Sequence, residues 1–282
     1  VNFAKEVVQM QIVYEHWKHI VKHIWFILPF AVIPALFLSL SMDFSAIEAF
    51  WRGLFSGDFV TDWFEIFCAW SLFGFGSVLD IIYAVCGIVC TLVFMSLILA
   101  FVEKHMRIGK RTLSGILSQV RGVFPPVLGM MLVIFAFYEV WALVLSAMLY
   151  SIVSAGTAAA VIALSILVIL VFLGALLYLI SLVYLCLPCM QMTGLGPLQS
   201  LLYSYRLMVG VRGKLLLSLL MSFAPAGLIV WGASFLPEAA SVLICLVLFT
   251  FLFMSYCVRM ETFYFETDKL DREDLLLSYR EL

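Results

Sequence analysis

The chain has 282 residues, of which 65% are hydrophobic and 12% are charged, and its mean hydropathy is +1.14. A soluble domain is about 45–50% apolar and about 25% charged, so this composition excludes a soluble globule and requires lipid as the solvent. The net charge of −2 carries no basic excess, which argues against nucleic acid as a partner.

Several apolar stretches are long enough to cross a bilayer, whose hydrocarbon core needs roughly 20 apolar residues per helix. The sequence predicts spans at about 24–41, 78–102, 123–150, 158–186, 214–235 and 240–258. We therefore predict an all-α fold, a polytopic transmembrane bundle of about six spans with interfacial amphipathic helices. Residues 1–258 form a single transmembrane domain in this interpretation, and residues 259–282 form a cytoplasmic tail. From Glu261 onward the tail is either a solvated end, which is the favoured interpretation, or a short docking helix.

The segment before the first span carries three histidines on one helical face, His16, His19 and His23. Such a face could hold a metal ion, but two lysines interleave with the histidines and disfavour a cation. We predict no metal site here and interpret the segment as an interfacial helix anchored by Trp17 and Trp25.

Residues 43–77 alternate aromatic side chains with acids, a composition that does not cross a bilayer cheaply. The pattern is typical of a helix in the headgroup region, and a re-entrant segment over 64–77 is the alternative. Asp80 follows at the start of the second span, where a helix-start or interfacial role is favoured and a proton or cation site is the alternative.

Lysine and arginine decide the expected orientation. Fifteen of the 16 basic residues fall in alternate connecting segments or at the two ends of the chain, and Arg52 is the exception. The positive-inside rule therefore predicts that both termini lie in the cytoplasm.

Glu139 lies near the middle of the third predicted span, between Tyr138 and Trp141. The predicted spans contain no Lys, Arg or His that could pair with it. A carboxylate at that depth is costly unless it is paired, protonated or in contact with water. It is either a proton- or cation-binding group in a pathway, or a protonated carboxyl hydrogen-bonded to a neighbouring Ser or Tyr that fixes helix packing.

Two of the basic connecting segments carry short apolar faces with the same spacing, followed by glycine, a base and a long span. Each segment predicts an amphipathic elbow helix, and the similarity suggests an approximate internal repeat. Elbows of this kind could dock a protein partner. The candidate docking residues are Leu113, Leu117, Arg121, Leu201, Tyr205 and Arg212.

Cys186 and Cys189 have the CxxC spacing of dithiol redox proteins, but they fall at the predicted C-terminal end of a span, where Pro188 is interpreted as a helix stop. The sequence contains no HExxH, phosphate-binding loop or GxSxG motif. We therefore predict no catalytic residue, no metal and no cofactor.

The second of these segments also carries a family resemblance. Residues 187–210 combine Pro188 near the end of a span with a Gly196-Pro197 pair and a Ser-x-x-Leu-x-x-Gly run from Ser204 to Gly210. In these features they resemble a bacterial family of uncharacterised six-helix proteins, which includes the membrane domain attached to some glycerophosphodiester phosphodiesterases. The likeness extends over about residues 100–260 and implies a six-helix bacterial inner-membrane protein without an established activity. The matching positions are Pro188, Gly196, Pro197, Leu201, Ser204, Leu207, Gly210 and Arg212.

Three functions compete at this point. The first is a non-enzymatic inner-membrane protein that binds phospholipid or organises the membrane, alone, as a homo-oligomer or with a protein partner. The second is a transport subunit, coupled to protons through Glu139 or docking a separate ATPase through the elbows. The third and weakest is a lipid-processing enzyme, because no nucleophile, base and metal ligands can be assembled.

Overall fold

The computed structural model describes residues 2–56, 62–108, 116–155 and 158–271, with the side chains of 2–17, 19, 106–108, 116–119, 121–123, 155, 158 and 269–271 left undescribed. Within these ranges the chain forms ten α-helices and no strand, which confirms the predicted all-α class. The helices are α1 Asn2–Leu40, α2 Phe44–Ser56, α3 Trp63–Trp70, α4 Val78–Ile108, α5 Ile116–Ala155, α6 Ala158–Val183, α7 Cys186–Thr193, α8 Pro197–Leu207, α9 Arg212–Ala233 and α10 Glu238–Asp271.

Six segments in the described residues are long and apolar enough to cross a membrane. The protein is therefore a multi-pass integral membrane protein built as a helix bundle. The segments are Ile20–Leu40, Val78–His105, Phe124–Ser154, Ala159–Thr193, Arg212–Ala233 and Glu238–Asp268.

Consecutive spanning helices run in opposite directions, so the bundle has two ends. We call the end that carries Asp43, Asp62 and Asp80 the acidic end, and the end that carries Lys22 and Lys104 the basic end.

The most extensive packing between helices is that of α1 on α10 and α4. Ring pairs fix the antiparallel register of α1 and α4: Phe26 stacks on Phe101 at 5.8 Å, and Phe30 contacts Phe94 at 6.0 Å. Farther along, a Cβ atom at Gly87 would come within 3.1 Å of a Leu38 methyl group. Glycine at this position therefore lets the two helices approach closely.

At the acidic end, α2 and α3 pack along the flank of the α5–α6 hairpin. The buried residues of α2 recur every three or four positions and are Phe44, Ile47, Phe50 and Leu54. This spacing places apolar groups on one stripe of the helix. Ile66 of α3 joins the same apolar cluster with Trp141 and Leu145 of α5.

At the basic end, the prediction of a tail from residue 259 onward is wrong for residues 259–268. Helix α10 continues to Asp271, and Phe263 and Tyr264 belong to the main apolar core. Four charged residues between 259 and 268 made this stretch resemble a solvated end. The aromatic residues between those charges are buried against the bundle and keep the helix inside it.

The connection after α6 also differs from the prediction. The helix breaks at Tyr184 and Leu185, and α7 begins at Cys186, so Pro188 lies in a first helical turn instead of ending a span. Proline is tolerated in a first turn because its missing N–H would have no helical partner there. Residues 116–155 form one continuous helix, so from Ile116 onward the first predicted elbow continues directly into the spanning part of α5 instead of forming a separate short helix.

Candidate functional site

Glu139 links the middle of α5 to the chain that follows α3. The Ser71 hydroxyl donates to Glu139 Oε2 at 2.8 Å, and the Leu72 N–H donates to Oε1 at 2.9 Å. Glu139 is half-buried. We call these two hydrogen bonds the Glu139 link. They join residues that are far apart in sequence and fix where the end of α3 meets the bundle.

Aromatic side chains support the Glu139 link on both sides. The Tyr138 hydroxyl donates to the Trp70 carbonyl at 2.9 Å, and Trp141 Nε1 donates to the Phe172 carbonyl at 3.1 Å. Trp70 and Trp141 also meet edge to face at 6.3 Å. These contacts match the helix-packing interpretation of the carboxylate, and its role as a proton or cation site stays a prediction.

The Glu139 link also positions α3 in depth. Glu139 precedes Ser154 by 15 residues, which is about 22 Å along a helix. The end of α3 therefore lies beside the middle of α5 and not beyond its end.

Asp80 lies in the first turn of α4 and forms a reciprocal cap with Ser77. The Ser77 N–H donates to Asp80 Oδ2 at 2.7 Å, and the Asp80 N–H donates to Ser77 Oγ at 3.2 Å. This is the capping-box arrangement, which satisfies two backbone donors that helix geometry leaves without partners. The cap accounts for Asp80 as a helix-start residue, and the alternative of a proton or cation site stays a prediction.

Helix α8 presents its polar side to the bundle and part of its apolar side outward. Ser200 and Ser204 are fully buried, whereas Leu198 is 72% exposed and Leu202 is 55% exposed. The predicted apolar face is therefore divided, because Leu201 packs against the main core.

Hydrogen bonds hold α8 in this orientation. Tyr203 donates to Asp268 Oδ1 of α10 at 2.6 Å, and Ser204 donates to the Leu182 carbonyl of α6 at 3.3 Å. The outward leucines are consequently a fixed feature of the surface.

Arg212 begins α9 beside the outer side of α8. Its guanidinium lies 4.9 Å from the ring centre of Tyr205 and 5.7 Å from that of Tyr178. Nη1 also donates to the Tyr178 hydroxyl at 3.4 Å. Of the other predicted docking residues, Leu113 lies outside the described residues, and Leu117 and Arg121 lie in α5 with side chains outside the description.

A layer of buried titratable side chains crosses the basic end. His23 of α1 and His105 of α4 meet with ring centres 4.1 Å apart. Gln191 Nε2 of α7 donates to Glu103 Oε2 of α4 at 3.1 Å, and Glu103 is 2% exposed. Glu261 of α10 is fully buried and lies within electrostatic range of α7.

The sequence did not predict this layer because its members sit at or just beyond the predicted span ends. Hydropathy falls at a charged residue whether that residue faces lipid, water or a protein neighbour. The available signal was the Phe263–Phe265 aromatic run after Glu261, which continues the apolar pattern of α10.

Arg259 is the second group that the sequence misplaced. It lies inside α10 at 8% exposure and bonds across to α9. Nη1 donates to the Ser218 carbonyl at 3.0 Å, and Nη2 donates to the hydroxyls of Ser222 at 2.6 Å and Ser255 at 2.9 Å. The statement that no base lies in a span is therefore wrong at this position.

The seven cysteines are all free thiols, and the CxxC pair Cys186 and Cys189 is fully buried. Outside the spans, burial and the nearby Asp43 carboxylate raise the pKa of the Cys68 thiol to about 11. A thiol with such a pKa is a weak nucleophile at neutral pH.

Within the described residues, no group of three or more His, Cys, Asp or Glu side chains is placed to hold a metal ion. Comparison with known proteins finds no matching family model, no matching curated protein and no matching solved structure. The resemblance to bacterial six-helix proteins therefore stays a prediction.

Proposed function

We propose that this chain is a non-enzymatic, phospholipid-interacting protein of the bacterial inner membrane, with both termini in the cytoplasm. It acts alone, as a homo-oligomer or within a complex. The observation that carries the proposal is the surface where α8 meets α9, with outward Leu198, Leu202 and Tyr205 beside Arg212.

The chemistry of this surface suits the boundary between lipid and water. Burying a leucine side chain is favourable by about 1.5–3 kcal/mol, so outward leucines favour contact with acyl chains over contact with water. Tyrosine concentrates at membrane interfaces, and a guanidinium forms strong hydrogen bonds with phosphate. In this proposal α8 lies along the cytoplasmic leaflet while Arg212 contacts anionic headgroups.

The test is the stabilisation of the detergent-solubilised chain by added phosphatidylglycerol, measured as the shift of Tm. Leu202→Glu places a charge on the outward face and is expected to abolish most of that shift. Gln199→Glu adds the same charge to α8 at a position that is already polar and exposed, and is expected to leave the shift intact. Equal shifts in both variants would contradict the proposal.

A transport subunit is the second candidate, and the buried titratable layer at the basic end favours it. Ionisable groups inside a membrane protein are costly and commonly mark ion or proton pathways. In this version His23, Glu103 and Glu261 lie at the cytoplasmic mouth of a pathway that also uses Glu139.

Two measurements test the transport candidate. Proton uptake into proteoliposomes under an imposed potential should be lost in Glu139→Gln while the protein still folds. Unchanged uptake in this variant would contradict proton coupling through Glu139. Purification in mild detergent followed by mass spectrometry tests the docking version, which requires a stoichiometric ATPase.

A further inference from the structure

Arg259 carries a positive charge that is buried and hydrogen-bonded to neutral groups. Its hydrogen bonds run to neutral acceptors, namely the Ser218 carbonyl and the hydroxyls of Ser222 and Ser255. In the part of the chain that the structure describes, no carboxylate contacts the guanidinium. A charge buried without a counter-charge is destabilising, so this position favours an anion that the described part of the chain does not provide.

The serines and Arg259 belong to one continuous seam between α9 and α10. On each helix, the second and third seam residues lie seven and eleven positions from the first. These offsets are close to two and three full turns, so the three residues lie on one face of their helix. The two rows are, in the same order along the seam, Ile229, Ser222 and Ser218 on α9, and Leu248, Ser255 and Arg259 on α10.

The apolar part of this seam is an open groove of about 560 Å³. All of its lining side chains are hydrocarbon or aromatic, and most are exposed at the surface that faces lipid. Seven residues separate Leu248 from Ser255, so the groove lies about 10 Å from the serine hydroxyls. The lining residues are Ile229, Leu243, Ile244, Val247, Leu248 and Phe251.

The seam therefore has an apolar part toward the acidic end and a cationic, hydroxyl-bearing part toward the basic end. This polarity matches a phospholipid of the leaflet at the basic end, whose headgroup faces that end and whose chains point to the bilayer centre. Arginine binds phosphate through charge-assisted hydrogen bonds. The Ser222 hydroxyl donates to the Ser218 carbonyl at 3.1 Å, and in the lipid-bound form it would rotate to donate to a phosphate oxygen instead. A zwitterionic lipid would leave the net charge of Arg259 uncompensated.

We propose that the α9–α10 seam binds one anionic phospholipid of the surrounding bilayer, with an acyl chain in the groove and the phosphate against Arg259 and its serines. The inference rests on the proposed lipid-interacting function and gives it a specific site, separate from the α8 surface.

The experiment is native mass spectrometry of the full chain in detergent, with added phosphatidylglycerol or phosphatidylcholine. The wild-type chain should retain one phosphatidylglycerol about tenfold more tightly than phosphatidylcholine, the ratio expected for one charge-assisted contact. Arg259→Gln should bring the two lipids to similar affinity. Ile229→Trp, which fills the groove, should lose the retained lipid even if Arg259→Gln does not fold.

Matched controls separate this site from its surroundings. Leu228→Trp places the same ring on a neighbouring exposed position that does not line the groove, and should retain the lipid. Arg52→Gln removes an exposed charge from α2, far from Arg259, and should also retain it.

Three results would overturn the inference. In the first, Arg259→Gln and Ile229→Trp both retain phosphatidylglycerol at wild-type affinity. In the second, the wild-type chain retains the two lipids equally. In the third, the wild-type chain is a lipid-free dimer that Ile229→Trp dissociates. If Leu202→Glu still abolishes the Tm shift in those cases, the proposed function stands without this site. If neither set of variants has an effect, both proposals fail.

Discussion

The two ends of this bundle use polar side chains in different ways. From the middle of the bundle to the acidic end, Glu139 and Asp80 accept hydrogen bonds from backbone N–H groups and a hydroxyl, and these bonds fix the end of α3 and the start of α4. At the basic end, Glu103 and Arg259 are buried between spanning helices and bond to other helices. Polar groups at the first end therefore define local geometry, and those at the second end connect the spans.

An acid in the middle of a predicted span is therefore a weak indicator of an ion or proton pathway when the sequence is the only evidence. The donors that satisfy Glu139 come from a segment 67 and 68 residues earlier in the chain. The buried layer at the basic end resembles a functional site more closely than the Glu139 link does, because four helices contribute titratable or amide side chains to it.

The largest effect is expected from Glu139→Ala in the middle of α5. The substitution leaves the Ser71 hydroxyl and the Leu72 N–H without their acceptor, and each half-buried donor without a partner costs about 1–3 kcal/mol. We expect a loss of about 3 kcal/mol in the free energy of unfolding, measured by denaturant titration in micelles. Glu139→Gln keeps one acceptor oxygen and should cost about half as much.

The same variant should release α3. Alkylation of Cys68 at neutral pH, followed by peptide mass spectrometry, should be slow in the wild-type chain and faster in Glu139→Ala. Glu65→Gln changes an exposed acid of the same helix and provides the control, with an expected effect below about 0.5 kcal/mol. Unchanged stability and Cys68 reactivity in Glu139→Ala would show that the Glu139 link does not hold α3.

The next largest loss in the free energy of unfolding is expected at the basic end, where a hydrogen bond joins α7 to α4. Gln191→Leu removes a donor from the buried Glu103 carboxylate, and a hydrogen bond to a charged group contributes about 1.5–3 kcal/mol. We expect a loss near 2 kcal/mol in the same titration. Gln199→Leu, on the exposed side of α8, should be nearly neutral. Similar losses in both variants would argue against a special role for the Glu103 contact.

A smaller effect is expected where α8 meets α10. Tyr203→Phe removes the hydroxyl that donates to Asp268, which should cost about 1 kcal/mol and speed amide hydrogen exchange in α8. Tyr205→Phe removes a hydroxyl from the outward side of the same helix and serves as the comparison. The orientation of α8 does not depend on the Asp268 contact if both variants exchange at the wild-type rate.

The smallest effect belongs to the start of α4. Asp80→Ala breaks the reciprocal cap with Ser77, and the loss of a cap costs about 0.5–1 kcal/mol in most hosts. Glu238→Ala changes an exposed acid in the first turn of α10 and should cost only a few tenths of a kcal/mol. A thermal unfolding series with both variants measures the difference, and a reversed order would contradict the capping role.

The positions that sequence analysis singled out had different outcomes for physical reasons. Asp80 could be interpreted correctly as a helix-start residue because capping depends on neighbours three residues away. Glu139 could be recognised as costly, but its partners could not be chosen, because nothing local indicates that Ser71 and Leu72 reach it. Leu201 and Leu202 share one predicted face, yet only the packing of α8 places the first inward and the second outward.

The amino-acid sequence by itself determined the all-α class and the six spans, because stretches of about 20 apolar residues are stable only in lipid and only as helices. Tertiary structure alone decided where the charged residues near the span ends reside. A charge at a span end can face water, headgroups or a polar partner on another helix, and hydropathy is the same in each case. For Arg259, only the serines of α9 across the seam make burial possible.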